Sequence, residues 1–306
     1  SSSAASDVYK RQVQRLTLQF RYNDIESCER LFDEFPGQIA CFLLEPLSFI
    51  PPNNCNCFKN SLNANNCKEK CFDNNNQNFL ILLKKLCEKN GALLIFDEVV
   101  SGFRFSIGGA QEMVGVTPHL SAFGKAMANG FSVSALVGQK EFMKLGGISH
   151  DEERVFLLST THGGETHAIA ASITSIKEII KQKAISHFWR TGQAIMDGLT
   201  AASIEVGAEK YINISGYGVK PAFSFNDESG NVSMVARTLF LQETIARGVL
   251  IPYVVPSFAH KKDDIDFVIA VVKDSLKVIK EAAEGEGMAA AITGEVVKPV
   301  FRKFNK

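Results

Sequence analysis

The sequence has no excess of either charge. Thirty-three lysines and arginines balance thirty-three aspartates and glutamates, so no net field draws the chain to nucleic acid or to an anionic membrane. It has no apolar run approaching the roughly 18 residues that a membrane helix requires. It shows no secretory signal, which makes the cytoplasm the expected location. Nor does it have the even cysteine count of a disulfide framework: there are seven Cys in 306 residues. Cys28, Cys41 and Cys87 lie in apolar or helical contexts and read as free thiols in a reducing compartment. A starting Met is also missing. The opening SSSAASDVYKRQ has no apolar periodicity, and residues 1–12 are read as a scar outside the fold.

What is there is ordinary globular composition. Hydrophobic residues make up 45% and charged residues 22%, which at this length allows a large core and more than one domain. Behind Asp24, a candidate N-cap, Ile25, Cys28, Leu31 and Phe32 fall on one helical face. IACFLLEP then forms a short continuous apolar run, as expected of a strand buried on both faces. NFLILLKKLCEKNG reads as a helix closed by Gly91, and ALLIFDE as the next buried strand. HLSAFG and SVSALVG continue the strands, and ETHAIAASITSIKEIIKQ is a long amphipathic helix. This alternation predicts an α/β fold with a parallel sheet covered by helices.

From about Ala184 the pattern changes. A helix over residues 185–202 precedes three strand-like pieces, KYINISGYG, KPAFSFND and GVLIPYV. A last helix runs from Asp263 to about Ala283. The expectation is a large domain over residues 13–184, interrupted by an Asn- and Cys-rich insertion over 51–78, and a smaller α+β domain over 185–306.

The chemistry is concentrated between Leu93 and Gly130. Ligands of open α/β sheets collect at the carboxyl ends of strands, and Asp97 is placed at such an end. Lys125 follows the next strand, one βαβ unit of roughly 30 residues later, so both side chains can face one crevice. A carboxylate and an amine there suit pyridoxal phosphate. Its ring nitrogen is an electron sink when protonated, which a buried Asp favours, and its aldehyde forms an imine with Lys. Gly124 and Gly130 would let backbone approach a flat cofactor. Spacing alone leaves the plainer alternative open: Asp97–Glu98 as a turn or helix cap, and Lys125 as a solvated surface residue.

LLIFDEVVSGFR, GGAQEMVGVTPHLSAFGKAMANG and TTHGGETHAIAAS resemble the class III aminotransferases, pyridoxal-phosphate enzymes of fold type I. GGAQE, GVTPHL and SFAHKKDDID are similar in particular to the glutamate-1-semialdehyde aminomutase branch. The resemblance runs from about Tyr22 to the end. It implies an aminotransferase or aminomutase that acts on a small amino substrate and works as a homodimer. By the same resemblance Lys125 is the Schiff-base lysine and Asp97 the partner of the pyridine nitrogen. Val99 and Val100 lie where the family packs a small apolar side chain on the ring. Thr161 reaches the phosphate of the cofactor bound by the partner subunit, and Glu45 is an acid near the floor of the site. Arg104 is read as the ion-pair partner of Glu98, with a substrate carboxylate as the alternative.

Two features depart from the family. Members carry a long portion before the region matching Tyr22, with a Gly/Ser turn that grips the cofactor phosphate and an aromatic that stacks on the ring. The chain is therefore expected to be N-terminally incomplete, with a non-catalytic fragment or pseudoenzyme as the rival reading. The usual GGNP is GGET here, so His162 and Glu165 either tune specificity or line a loop. Within the insertion, Cys55, Cys57, Cys67 and Cys71 raise a second rival, a zinc-binding module. Their CxC and CxxxC spacings differ from ordinary zinc knuckles, and the expected site includes no metal.

Overall fold

A computed structural model describes residues 15–48, 50–52, 78–153, 155 and 163–298. These fall into two compact units, residues 19–185 and residues 186–298, the second taking in residues 15–18 as well.

In the first unit, helix α1 (Ile25–Glu34) starts where Asp24 accepts a hydrogen bond from the Ser27 N–H at 2.9 Å. Cys28 and Phe32 are the residues it buries. Strand β1 (Cys41–Leu44) follows; it is buried on one face only, with Cys41 and Leu43 exposed, and not on both faces as expected from its apolar run. Helix α2 (Phe79–Lys89) is capped by Asn78, whose side-chain oxygen accepts from the Ile81 N–H. It stops at Gly91, which takes the left-handed conformation that a side chain would resist (φ 67°). Strand β2 (Leu93–Glu98), the short helix α3 (Ala110–Val114), strand β3 (Leu120–Phe123) and strand β4 (Ala135–Gly138) come next. The short helix α4 (Lys140–Met143) and the long helix α5 (Thr166–Lys181) complete the unit.

The strands form one sheet in the order β1-β2-β3-β4. The first three are parallel and β4 is antiparallel to β3. The connection from β3 to β4 contains only a 3-10 turn. A parallel return needs a crossover of a dozen or more residues, so the chain doubles back. One face of the sheet carries Phe42, Leu94, Phe96, Glu98, Ser121 and Phe123, all buried. Phe32 of α1 meets Phe42 with ring centroids 5.4 Å apart. The opposite face carries Leu43, Ile95, Asp97, Ala122 and Leu136, in register across the strands.

In the second unit, helix α6 (Ala184–Glu205) leads to an antiparallel hairpin of β5 (Ile212–Tyr217) and β6 (Lys220–Phe225). Helices α7 (Met234–Ala246) and α8 (Lys262–Glu284) pack with it. Leu199, Tyr211, Phe225, Phe240 and Leu276 are central to its core. The third expected strand, GVLIPYV, does not form: residues 249–254 are irregular. Pro252 has no N–H to give to a ladder, and the Val249 N–H is already taken by the Thr244 carbonyl at the end of α7.

Candidate active site

Three consecutive strand ends present polar groups at the carboxyl edge of the sheet. Glu45 directly follows β1, Asp97 is the fifth residue of β2, and Lys125 is the second residue after β3. The register is direct, with Asp97 opposite Ala122 and Glu98 opposite Phe123. Asp97 shares its row on β2 with Leu93 and Ile95, because alternate residues of a strand point the same way. Asp97 is half-buried and Lys125 exposed. The Asp97 carboxylate accepts a hydrogen bond from the Val99 N–H at 3.0 Å.

The Lys125 turn is tight. Gly124 is extended, and Lys125 itself has φ 43°, followed by a 3-10 turn over Lys125–Met127. An L-residue with a side chain pays about 1 kcal/mol for that backbone. A Cβ added at Gly124 would lie 3.5 Å from Val99 Cγ1, so Val99 borders the turn that carries Lys125. Val100 completes the same two-residue step off β2 and is half-buried.

Glu98 answers the other half of the Asp-Glu pair. It is fully buried, on the face opposite Asp97. Its carboxylate accepts from the Ser101 hydroxyl and from the N–H groups of Ala110 (2.9 Å) and Gln111 (2.8 Å) at the start of α3. Burial pushes its pKa up, and the Ser101, Gln111 and Ala110 hydrogen bonds pull against that shift. Gly102 returns the chain over this face, and a Cβ there would come within 2.4 Å of the Phe123 ring. Burial lowers the pKa of Arg104, in the same turn.

The model of the aminotransferase class-III family matches residues 71–276. The chain belongs to the class-III aminotransferases. It is 29% identical over 289 residues to a glutamate-1-semialdehyde 2,1-aminomutase of Syntrophobacter fumaroxidans, covering 88% of this chain and 59% of the relative. It is 27% identical to a 3-aminobutyryl-CoA aminotransferase of Cloacimonas acidaminovorans, covering 86% and 58%. The chain thus spans about three fifths of the length of these curated relatives. Among solved structures it superposes on the FumI protein of Sphingopyxis sp. MTA144, a PLP internal aldimine form, with a TM-score of 0.72. That match has 20% identity and covers 91% of this chain and 61% of the other. A transaminase with PLP bound superposes with the same TM-score at 17% identity, covering 90% and 61%. This class-III aminotransferase chain therefore has the α/β fold of the PLP transaminases.

The structure brings Glu45, Asp97, Val99, Val100 and Lys125 to one edge of the class-III sheet. Thr161 and His162 lie outside the described residues, as do Cys55, Cys57, Cys67 and Cys71. Among the described residues no group of three or more His, Cys, Asp or Glu is placed to hold a metal ion, and no helix is long and apolar enough to cross a membrane. Cys28, Cys41 and Cys87 are free thiols. The Glu98 network was not foreseen from sequence. Its one local signal is GlyGly before AlaGlnGlu: Gly109 has φ 82°, and a Cβ there would stand 2.6 Å from the Glu98 carboxylate.

Proposed function

We propose that this chain carries the catalytic face of a PLP-dependent aminotransferase or aminomutase that acts on a small amino compound. The observation that carries the reading is the placing of Asp97 and Lys125 at the carboxyl ends of adjacent, hydrogen-bonded parallel strands. The donor set fits the cofactor. An ionised carboxylate offers about four acceptor positions, and the Val99 N–H uses one of them, which leaves capacity for a protonated ring nitrogen. Lys125 is exposed two residues beyond the end of β3, where its amine would be open to an aldehyde. When bound, pyridoxal phosphate supplies an electron sink for a carbanion at the substrate carbon that bears the amine.

Asp97 would keep the ring nitrogen cationic. Lys125 would hold the aldehyde end and then, as a free amine, take and return the proton at the substrate carbon. Val99 and Val100 would form an apolar wall against the ring, with Glu45 at the floor. Thr161 would reach the cofactor phosphate in the partner subunit of a cytoplasmic homodimer. Exposed apolar surface supports association: Ile169, Ile173 and Ile180 on α5 are 43–54% exposed, and Leu136 on the Asp97 face is 47% exposed. Residues 13–184 would bind the cofactor and residues 185–306 form the small domain. Transferase and mutase differ in whether the keto product leaves before it is aminated again.

Borohydride reduction of the protein loaded with PLP tests this. The cofactor should become fixed to Lys125, read as a mass gain on the peptide that contains it. Lys125→Ala should show no such gain. A gain of equal size in the variant sinks the assignment of Lys125.

A further inference from the structure

Asp97 and Glu98 are consecutive, so the pleat sends their side chains to opposite faces. Glu98 faces the core, on the side of the sheet opposite Asp97. Burying a carboxyl is costly unless donors meet it, and Glu98 has donors from both ends of the loop that follows β2. Ser101 is at the near end, and Ala110 and Gln111 are at the far end. The Glu98 carbonyl also accepts from the Gly102 N–H at 2.8 Å.

The loop has no slack around these bonds. A Cβ at Gly109 would meet the Glu98 carboxylate at 2.6 Å, and one at Gly102 would meet the Glu98 carbonyl at 2.7 Å. The same loop supplies a hydrogen bond that orients Asp97, the 3.0 Å bond from the Val99 N–H. Val99 is two residues before Ser101. The direction of its N–H is therefore set by a segment whose ends are Glu98 itself and the Ser101 hydroxyl that Glu98 holds.

We propose that Glu98 is a positioning residue for Asp97: by anchoring Ser101 and the start of α3, it holds the Val99 amide on the Asp97 carboxylate. Its catalytic consequence rests on the reading of Asp97 as partner of the cofactor ring nitrogen; the anchoring itself does not.

The test uses Glu98→Gln and Ser101→Ala, with Leu83→Ala as a control that opens a cavity in the fully buried core of the same unit. The first readout needs no cofactor: amide hydrogen exchange at Val99, taken as a ratio to Phe96 in the centre of β2. The ratio should rise about tenfold in both loop variants, the loss expected for a hydrogen bond to a charged group. It should stay at the wild-type value in Leu83→Ala. The second readout is the pH titration of the visible band of the PLP-loaded protein. Its midpoint should move by about one pH unit in the loop variants and stay put in the control. An unchanged Val99 ratio in folded Ser101→Ala overturns the proposal, and that variant decides if Glu98→Gln fails to fold. If the wild-type protein takes up no PLP, the functional reading fails, and the exchange ratio still decides the positioning.

Discussion

Lys125 holds a backbone conformation that its own side chain disfavours, at φ 43°. Gly would adopt it freely, whereas Ala retains the Cβ that causes the strain. Lys125→Gly should therefore be more stable than Lys125→Ala by about 1 kcal/mol, measured by urea unfolding. If the order is reversed, the left-handed backbone at 125 is wrong. Cys28 and Cys87 give a second effect at this scale. Burial raises the Cys28 thiol pKa to about 11 and the Cys87 thiol to about 12, from an ordinary 9.0. A raised folded pKa means that the contribution to stability is complete below the unfolded value. It is lost as pH rises toward the folded one. Between pH 9 and 11 each thiol should cost about 1 kcal/mol per pH unit. Unfolding measured across that window should fall less steeply in a Cys28→Ala, Cys87→Ala double variant; equal slopes would mean the thiols are not the titrating groups.

At the scale of elements, close packing of glycines decides where helices can sit. In α6, a Cβ at Gly192 would stand 1.6 Å from the Gly218 carbonyl oxygen, in the turn between β5 and β6. One at Gly198 would meet the Ile269 side chain of α8 at 2.1 Å. Backbone cannot move aside without shifting the hairpin, while an isoleucine can change rotamer. Gly→Ala in a helix interior ordinarily stabilises by about 1 kcal/mol. Here Gly192→Ala should destabilise by about 3 kcal/mol, the upper range for overpacking, and Gly198→Ala by less. Thermal unfolding of the two variants checks the order, and equal losses would mean that α6 does not lie against the hairpin turn.

For the whole molecule, the proposed assembly has a direct test. The protein should elute at twice the mass of one chain, as a two-fold dimer. Lys125→Ala and Thr161→Ala subunits, each inactive alone, should regain activity after mixing and exchange. If Thr161 serves its partner, one site of a mixed dimer collects both defects and the other is intact. A mixture that exchanges subunits and stays inactive would place Thr161 in its own chain's site.

Much of the architecture was legible because it is local. The Asp24 cap, the Asn78–Gly91 helix and the apolar runs at 41–44, 93–98 and 120–123 depend on neighbours in the chain, and period and cap residues mark them. The class-III motif around Asp97 and Lys125 was legible for a different reason: residues within one strand–helix–strand passage carry it. Helix α7 was not read, although Ser233 caps it through the Ala236 N–H. It buries Ala236, Leu239, Phe240 and Thr244 on one face, but Met234, Val235, Leu241 and Ile245 carry apolar side chains around the rest of the helix, so no clear amphipathic period shows. The reversal of β4 was not read either, since a strand's apolar pattern is the same in both directions. Only the tertiary structure decided the register that sets Asp97 opposite Ala122, the donors that meet Glu98, and the closeness of Gly102 to Phe123. Each of these depends on which distant backbone arrives beside a residue, and a hydrogen-bond partner 12 or 13 positions away leaves no periodic trace in sequence.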